Sequence, residues 1–254
     1  MKAYIITGTS RGIGHALAHR ALSEPAVVHG IARDQSTELE EAAERTHGTG
    51  LVQHRYDLAA TEGIPDLADH ILADIVSRSM AVDALVLVNN AGVLGPIGPV
   101  EDLSPHELST HIGVNVTAAM QLTASVLRAA ENLKVPKTVV NISSGAATTA
   151  YAGWSAYCTS KAAIEMFTRV LAFEHAADTE FRAVAVAPGV VDTEMQAVIR
   201  DTDESRFPHR SKFVELKETG RLSDPEKVAE LILQAAFDTE IESGASVDVR
   251  TRYG

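Results

Sequence analysis

The chain contains one cysteine and one tryptophan, and no apolar run in its 254 residues approaches the roughly 20 needed to cross a bilayer. A lone cysteine, Cys158, cannot form an intramolecular disulfide. The N-terminus also lacks a basic segment followed by a signal-length apolar stretch, so the expectation is a cytoplasmic protein with no membrane span. Basic residues are outnumbered, 22 against 34 acidic, and the formal charge of −12 repels a polyphosphate backbone over most of the surface. Nucleic acid is therefore not expected as a partner. Internal repeats, low-complexity tracts and a second domain boundary are also missing. With 22% charged and 45% hydrophobic residues the composition is that of an ordinary globular protein, and the length suits one domain spanning residues 1–254.

Short β-rich apolar runs alternate with longer helical stretches. The runs are Ala3 to Thr7, Ala26 to Ala32, Leu51 to Tyr56, Ala84 to Val88, Thr138 to Ile142, Arg182 to Ala187 and Ser246 to Val249. This rhythm is that of βαβ units, and near-continuous apolar character in several runs implies burial on both faces of a parallel sheet covered by helices. Ser104-Pro105-His106-Glu107 reads as a capping box with proline at the first helical position, and Asp224-Pro225 repeats the cap-then-proline order. From Thr193 to Leu222 the sequence turns polar and irregular, with Arg200, Asp201, Asp203, Arg206 and Arg210 interrupted by Phe207, Phe213 and Val214. The expectation for 193–222 is a mobile flap.

Thr7-Gly8-Thr9-Ser10-Arg11-Gly12-Ile13-Gly14 follows the first strand and opens a helix. Glycines permit a tight turn and close approach of a ligand, and the exposed amides at the positive end of the helix favour a pyrophosphate, so the pattern points to a dinucleotide. Arg11 lies inside this loop and Arg33 follows the second strand, where cations suit the 2'-phosphate of NADPH; Asp34, one step later, would favour NADH if the register shifted. Tyr157 and Lys161 are four apart, which puts them on one face of a helix. A lysine ammonium about 5 Å from a phenol contributes roughly 3 kcal/mol at an effective dielectric near 20, enough to lower the phenol by about two pKa units. His15 and His19 share a helix face but lack a third ligand, so no metal is expected.

The TGxxxGxG spacing, Asn89-Asn90-Ala91-Gly92, the YxxxK pair and Pro188-Gly189, in this order, resemble the short-chain dehydrogenases/reductases over nearly the whole chain. The resemblance implies a Rossmann fold, a doubly wound parallel β-sheet flanked by helices, and a nicotinamide cofactor, read as NADPH/NADP+ in preference to NADH. It implies that Gly8, Ser10, Arg11, Gly12, Ile13, Gly14, Arg33, Asp57, Leu58, Asn89, Ala91, Gly92, Pro188, Val191 and Thr193 contact that cofactor together with Tyr157 and Lys161. Asn115, Ser144, Tyr157 and Lys161 match the catalytic tetrad. In that scheme hydride passes from nicotinamide to a carbonyl carbon, Tyr157 protonates the oxygen, Ser144 polarises it with Ser143 as the alternative, Lys161 also holds the ribose, and Asn115 helps hold a water.

Tyr151-Ala152-Gly153-Trp154-Ser155-Ala156-Tyr157-Cys158 and Ser243-Gly244-Ala245-Ser246-Val247-Asp248 resemble the branch of sepiapterin reductases and bacterial (S)-benzoin-forming benzil reductases. Sepiapterin reductases carry a pterin-gripping aspartate where this chain has Thr251, and a neutral hydroxyl cannot replace that charged acceptor. The expected activity is therefore NADPH-dependent reduction of one carbonyl of an aryl or alkyl 1,2-diketone. Sepiapterin reduction and a non-catalytic NADP(H)-binding sensor are the alternatives. Leu94, Trp154, Met195, Tyr151 and Phe213, with Ser144 and Tyr157, are the candidate substrate contacts, and the resemblance implies a homodimer or homotetramer paired through the Asn115 and Tyr157 helices.

Overall fold

The computed structural model describes residues 1–46, 50–78 and 82–253. In chain order the elements are β1 (Lys2–Thr7), α1 (Gly12–Ala21), β2 (Ala26–Ala32), α2 (Thr37–Arg45), β3 (Gly50–Arg55), α3 (Ile64–Ser77) and β4 (Ala84–Asn89). There follow α4 (Pro105–Ile112), α5 (Ala118–Ala129), β5 (Lys137–Ile142), α6 (Ser155–Glu174), β6 (Phe181–Ala187), α7 (Glu194–Asp201), α8 (Arg210–Glu218), α9 (Pro225–Phe237), β7 (Ser246–Asp248) and α10 (Val249–Tyr253). The strands form one parallel sheet in the order β3-β2-β1-β4-β5-β6-β7.

Alternate residues of each central strand enter opposite layers, which explains the apolar runs. Tyr4 and Ile6 of β1 pack with Leu17 of α1 and Ile232 of α9, while Ala3 and Ile5 pack with Ile71 of α3 and Leu122 of α5. The helices start where their caps predict. Ser104 and Glu107 complete a capping box, and Asp224 accepts from the amides of Glu226 and Lys227. The sheet order reverses between β1 and β4, and the carboxyl ends of those strands open the crevice in which such sheets hold their ligands. A concavity at the opposite, amino end, between Lys2, Tyr4, Arg20, Asp83 and Phe237, lies away from every candidate site residue. No described helix is long and apolar enough to cross a membrane.

Two expectations change. The segment 193–222 is not irregular: it folds into α7 and α8, and its polar residues coat two short helices whose apolar side chains Ile199 and Phe213 turn inward, as does Phe207 in the turn between them, which is 0% exposed. The terminal strand stops at Asp248, and Val249 opens α10.

One buried polar cluster sits between the sheet and α3. His29 on β2 is 0% exposed, its Nδ1 lies 3.0 Å from His54 Nε2 on β3, and Asp74 of α3 approaches its Nε2 at 3.3 Å while holding Arg78 at 2.7 Å. Burial, with His54 adding to it, pushes the His29 imidazole down to about 4, and His54 is lowered as well. A lowered imidazole contributes its full stability above the unfolded value near 6.5 and loses it as pH falls from there towards 4. For His29 alone the loss approaches about 3 kcal/mol. Urea unfolding at pH 7 and pH 4.5 should show this fall, and His29→Gln should flatten it. An equal slope in both proteins would refute the assignment.

Candidate active site

The turn after β1 and the turn after β4 are locked together. Thr7 Oγ1 accepts from the amides of Asn90 and Ala91 at 2.9 Å each, and Asn90 Nδ2 donates to Thr7 O at 2.8 Å. Gly8 is required here because its φ is +78°, and a Cβ at Gly14 would stand 2.2 Å from Gly8 O. Arg11 caps α1 without a side-chain hydrogen bond, and the first turn of that helix holds no acid. The amides around Ser10, Gly12 and Ile13 thus meet no side-chain acceptor from the cap, and a Cβ on Gly12 would lie 3.3 Å from Thr193 Cγ2, which brings the segment after β6 over the same turn. This cradle, open only because its glycines lack side chains, fits a pyrophosphate.

The remaining cofactor candidates gather around it. Leu58, Asn89 and Ala91 line a small cleft with Thr7 and Val114. The Asn89 side chain, however, is turned into the core, where its amide donates to Thr123 Oγ1 at 2.9 Å and Asn141 Oδ1 at 2.8 Å, so only its backbone is left for a ligand. Exposed Asp57 caps its own turn by accepting from Ala59 N at 3.0 Å. Pro188 is buried, and Val191 bridges to Ser223. Arg11 pairs with Glu194 at 2.5 Å, whereas Arg33 is exposed and its carbonyl accepts from Arg55 Nε at 3.2 Å. Arg55, at the end of β3, is a third cation at this corner that the sequence reading missed.

The tetrad converges beside the cradle. Tyr157 and Lys161 lie on the buried face of α6, with Lys161 Nζ 5.7 Å from the Tyr157 ring centroid and donating to Ile142 O at 2.8 Å. A Cβ on Gly92 would lie 3.8 Å from that Nζ and 3.4 Å from Asn115 Oδ1. Ser144 caps a short turn by accepting from Ala146 N at 3.2 Å and hydrogen-bonds the Tyr157 phenol. Ser143 is held elsewhere, donating to buried Glu165 at 2.7 Å, and Glu165 also accepts from Ser246 of β7.

The phenol departs from the sequence expectation. Burial raises its pKa, outweighing the lowering by Ser144, and the lysine does not reverse the direction. Burial brings Lys161 down to about 8 in turn. The site therefore holds Tyr157 as a neutral phenol, the form that gives up a proton.

Asn115 stands in a π-turn between α4 and α5, Gly113–Thr117, a break that re-aims helical side chains. Its amide exchanges two 2.8 Å hydrogen bonds with the backbone of Val93. His111, one turn earlier, was not foreseen. It is wholly buried, its Nδ1 lies 2.6 Å from Gly95 O, and its Nε2 lies 3.0 Å from Asn115 Nδ2. A carbonyl only accepts, so Nδ1 carries the proton and Nε2 accepts from Asn115. The i, i+4 spacing of His111 and Asn115 is the signal that could have linked them.

Leu94, Trp154, Tyr157 and Phe213 share one apolar cluster, with Tyr151 and Met195 at its edge. Phe207 completes it, stacked on Trp154 at 4.5 Å between centroids, and Trp154 meets the Tyr157 ring edge at 5.4 Å. Thr251 is exposed in α10 with its hydroxyl bonded to Asp248 O at 3.0 Å; Arg250, paired with Asp248, is the residue that lies over Gly189. Cys158 points its thiol towards Thr149 O. His15 contacts Ser36 and Glu38, His19 contacts Glu226, and among the described residues no group of three or more His, Cys, Asp or Glu side chains could hold a metal ion.

The model of the short-chain dehydrogenase family matches residues 2–204. The chain belongs to that family. A benzil reductase ((S)-benzoin forming) of Bacillus cereus is 38% identical over 98% of this chain and 99% of its own length, and the sepiapterin reductase of Mus musculus is 35% identical over 96% and 95%. Among solved structures, a putative NAD(P)-dependent gluconate 5-dehydrogenase from Beutenbergia cavernae with bound NADP superposes with a TM-score of 0.80 at 29% identity, covering 98% of this chain and 94% of its own. As a short-chain dehydrogenase the protein is an oxidoreductase acting on carbonyl or hydroxyl groups with a nicotinamide cofactor.

Proposed function

We propose that this enzyme uses NADPH to reduce one carbonyl of an aryl or alkyl 1,2-diketone to the hydroxyketone. The observation that carries this reading is the surround of Tyr157: Leu94, Trp154, Phe207 and Phe213 form one apolar cluster with it, which suits aryl or alkyl substituents. Thr251, in place of the pterin-binding aspartate, spends its hydroxyl on the carbonyl of Asp248 at the end of β7. Sepiapterin is accordingly the weaker substrate. Arg11 and Arg33, the latter with Arg55 on its carbonyl, support NADPH over NADH.

When bound, the reduced dinucleotide supplies the hydride. Ser144 and Tyr157 donate to the substrate oxygen, and Tyr157, kept neutral by burial, transfers its proton as negative charge develops there. Lys161 is fixed by Ile142 O close to Gly92, where it can hold the nicotinamide ribose while its charge stabilises the phenolate left behind. The aromatic wall excludes water, and α7, α8 and the turn between them, which supply Met195, Phe213 and Phe207 to it, act as the flap.

NADPH oxidation measured with benzil, 1-phenyl-1,2-propanedione and sepiapterin tests the reading. Diketones should be consumed to the hydroxyketone, since the first carbonyl loses its activating neighbour after one hydride. Efficient sepiapterin reduction with diketones ignored would overturn the substrate class. We also infer a pair of chains joined through α5 and α6, because Met120, Met166, Val170 and Phe173 leave those helices exposed, Phe173 by 84%. Light scattering should give a dimer or tetramer, and Phe173→Asp should weaken it.

A further inference from the structure

The one tryptophan of this chain carries a polar atom for which the fold provides no partner. Trp154 is 4% exposed and its Nε1 is buried without a hydrogen bond among the described residues. An indole N–H can only donate, and buried donors in native proteins are almost always paired, so an unpaired one beside a reacting group calls for an acceptor that arrives from outside. The surroundings offer none. Phe207 stacks on the ring, Phe213 lies at 5.4 Å and Tyr151 at 5.1 Å between centroids; the Tyr151 hydroxyl accepts from Lys212 at 3.1 Å, and the Tyr157 phenol is engaged by Ser144.

The indole is also held in place. Trp154 N donates to Tyr151 O at 3.1 Å and its carbonyl accepts from Cys158 N at 2.8 Å, so it sits at the start of α6, three residues before the phenol, with the two rings 5.4 Å apart. A substrate oxygen bonded to Tyr157 therefore lies against the same aromatic cluster that holds the indole.

We propose that the Trp154 indole N–H donates a hydrogen bond to the second carbonyl oxygen of a vicinal dicarbonyl, and so selects 1,2-dicarbonyls over simple ketones. This rests on the carbonyl-reductase reading above and adds a contact that chooses among carbonyl compounds. The aromatic rings recognise the substituents by apolar contact, which any diaryl ketone satisfies equally; the indole distinguishes molecules by one oxygen.

Benzil and deoxybenzoin share a carbon skeleton and differ by that oxygen. The test is the ratio of their kcat/KM values in the wild type and in Trp154→Phe, which keeps an aromatic ring against Phe207 but has no N–H. The ratio should fall about tenfold in the variant, the size of one neutral hydrogen bond, whatever happens to deoxybenzoin itself. An unchanged ratio means that water or nothing meets the indole, and it overturns the proposal. Should the variant not fold, the indole ¹⁵N–¹H resonance of the wild type decides, since a single tryptophan gives a single signal. It should move on adding benzil to the NADP+ complex and stay with deoxybenzoin, whereas equal responses refute the contact. If the wild type reduces neither ketone, the reductase reading fails instead.

Discussion

Tyr157→Phe should lower kcat for diketone reduction by about 10³-fold, within the range that a positioned general acid contributes, and leave NADPH affinity within about twofold. The phenylalanine ring preserves the packing against Trp154 at 5.4 Å and His111 at 6.3 Å, so the loss reports the hydroxyl. Fluorescence titration with NADPH separates binding from turnover. Retention of a tenth of the wild-type rate would exclude Tyr157 as the proton donor. Lys161→Ala should behave differently, weakening both binding and rate, because the same ammonium lies beside Gly92 on the cofactor side and beside the Tyr157 ring.

The contrast between those variants depends on a feature that the sequence hides. YxxxK spacing puts two side chains on one helical face, and the structure finds them there. Spacing cannot reveal how deeply they are buried, and burial decides the direction in which each group titrates. Coulomb attraction predicts a phenol drawn down; burial pushes it up and brings the lysine down to about 8. For a reductase the outcome suits the chemistry, since the acid must hold its proton until negative charge develops on the substrate oxygen.

Legibility elsewhere follows the same division. The seven strands lie within about a residue of their sequence limits, the central ones because burial on both faces writes them as apolar runs, and the caps at Ser104 and Asp224 mark helix starts by local chemistry alone. Residues 193–222 misled because α7 and α8 are short and mostly solvated. Their anchors, Phe207 and Phe213, gain meaning only when Trp154 is brought to them from 53 residues or more up the chain, and that is tertiary information. His111 was hidden for a related reason: an isolated histidine on a capped helix looks like a surface residue until Gly95 and Asn115 are found on its two ring nitrogens.

The second large effect concerns the cofactor. Arg11→Ala combined with Arg33→Ala should raise the Kd for NADPH about 100-fold and change that for NADH by less than about threefold. A hydrogen bond between charged groups contributes about 1.5–3 kcal/mol, and two at the lower limit give this factor. The lower limit is appropriate because the Arg11 side chain is 62% exposed and Arg33 is exposed too, so water competes. Glu194 competes as well, since Arg11 must exchange that carboxylate for the 2'-phosphate. Two consequences separate this arrangement from a buried phosphate site. Raising ionic strength should erode the NADPH preference of the wild type, through screening of exposed charges, and should leave the double variant almost unaffected. Glu194→Gln should strengthen NADPH binding modestly by freeing Arg11. Arg55 supports the corner by holding the Arg33 carbonyl, so Arg55→Ala should reproduce only part of the loss. A wild type that prefers NADH would place Asp34, not Arg33, on the ribose, and the ratio of the two dissociation constants reads that outcome directly.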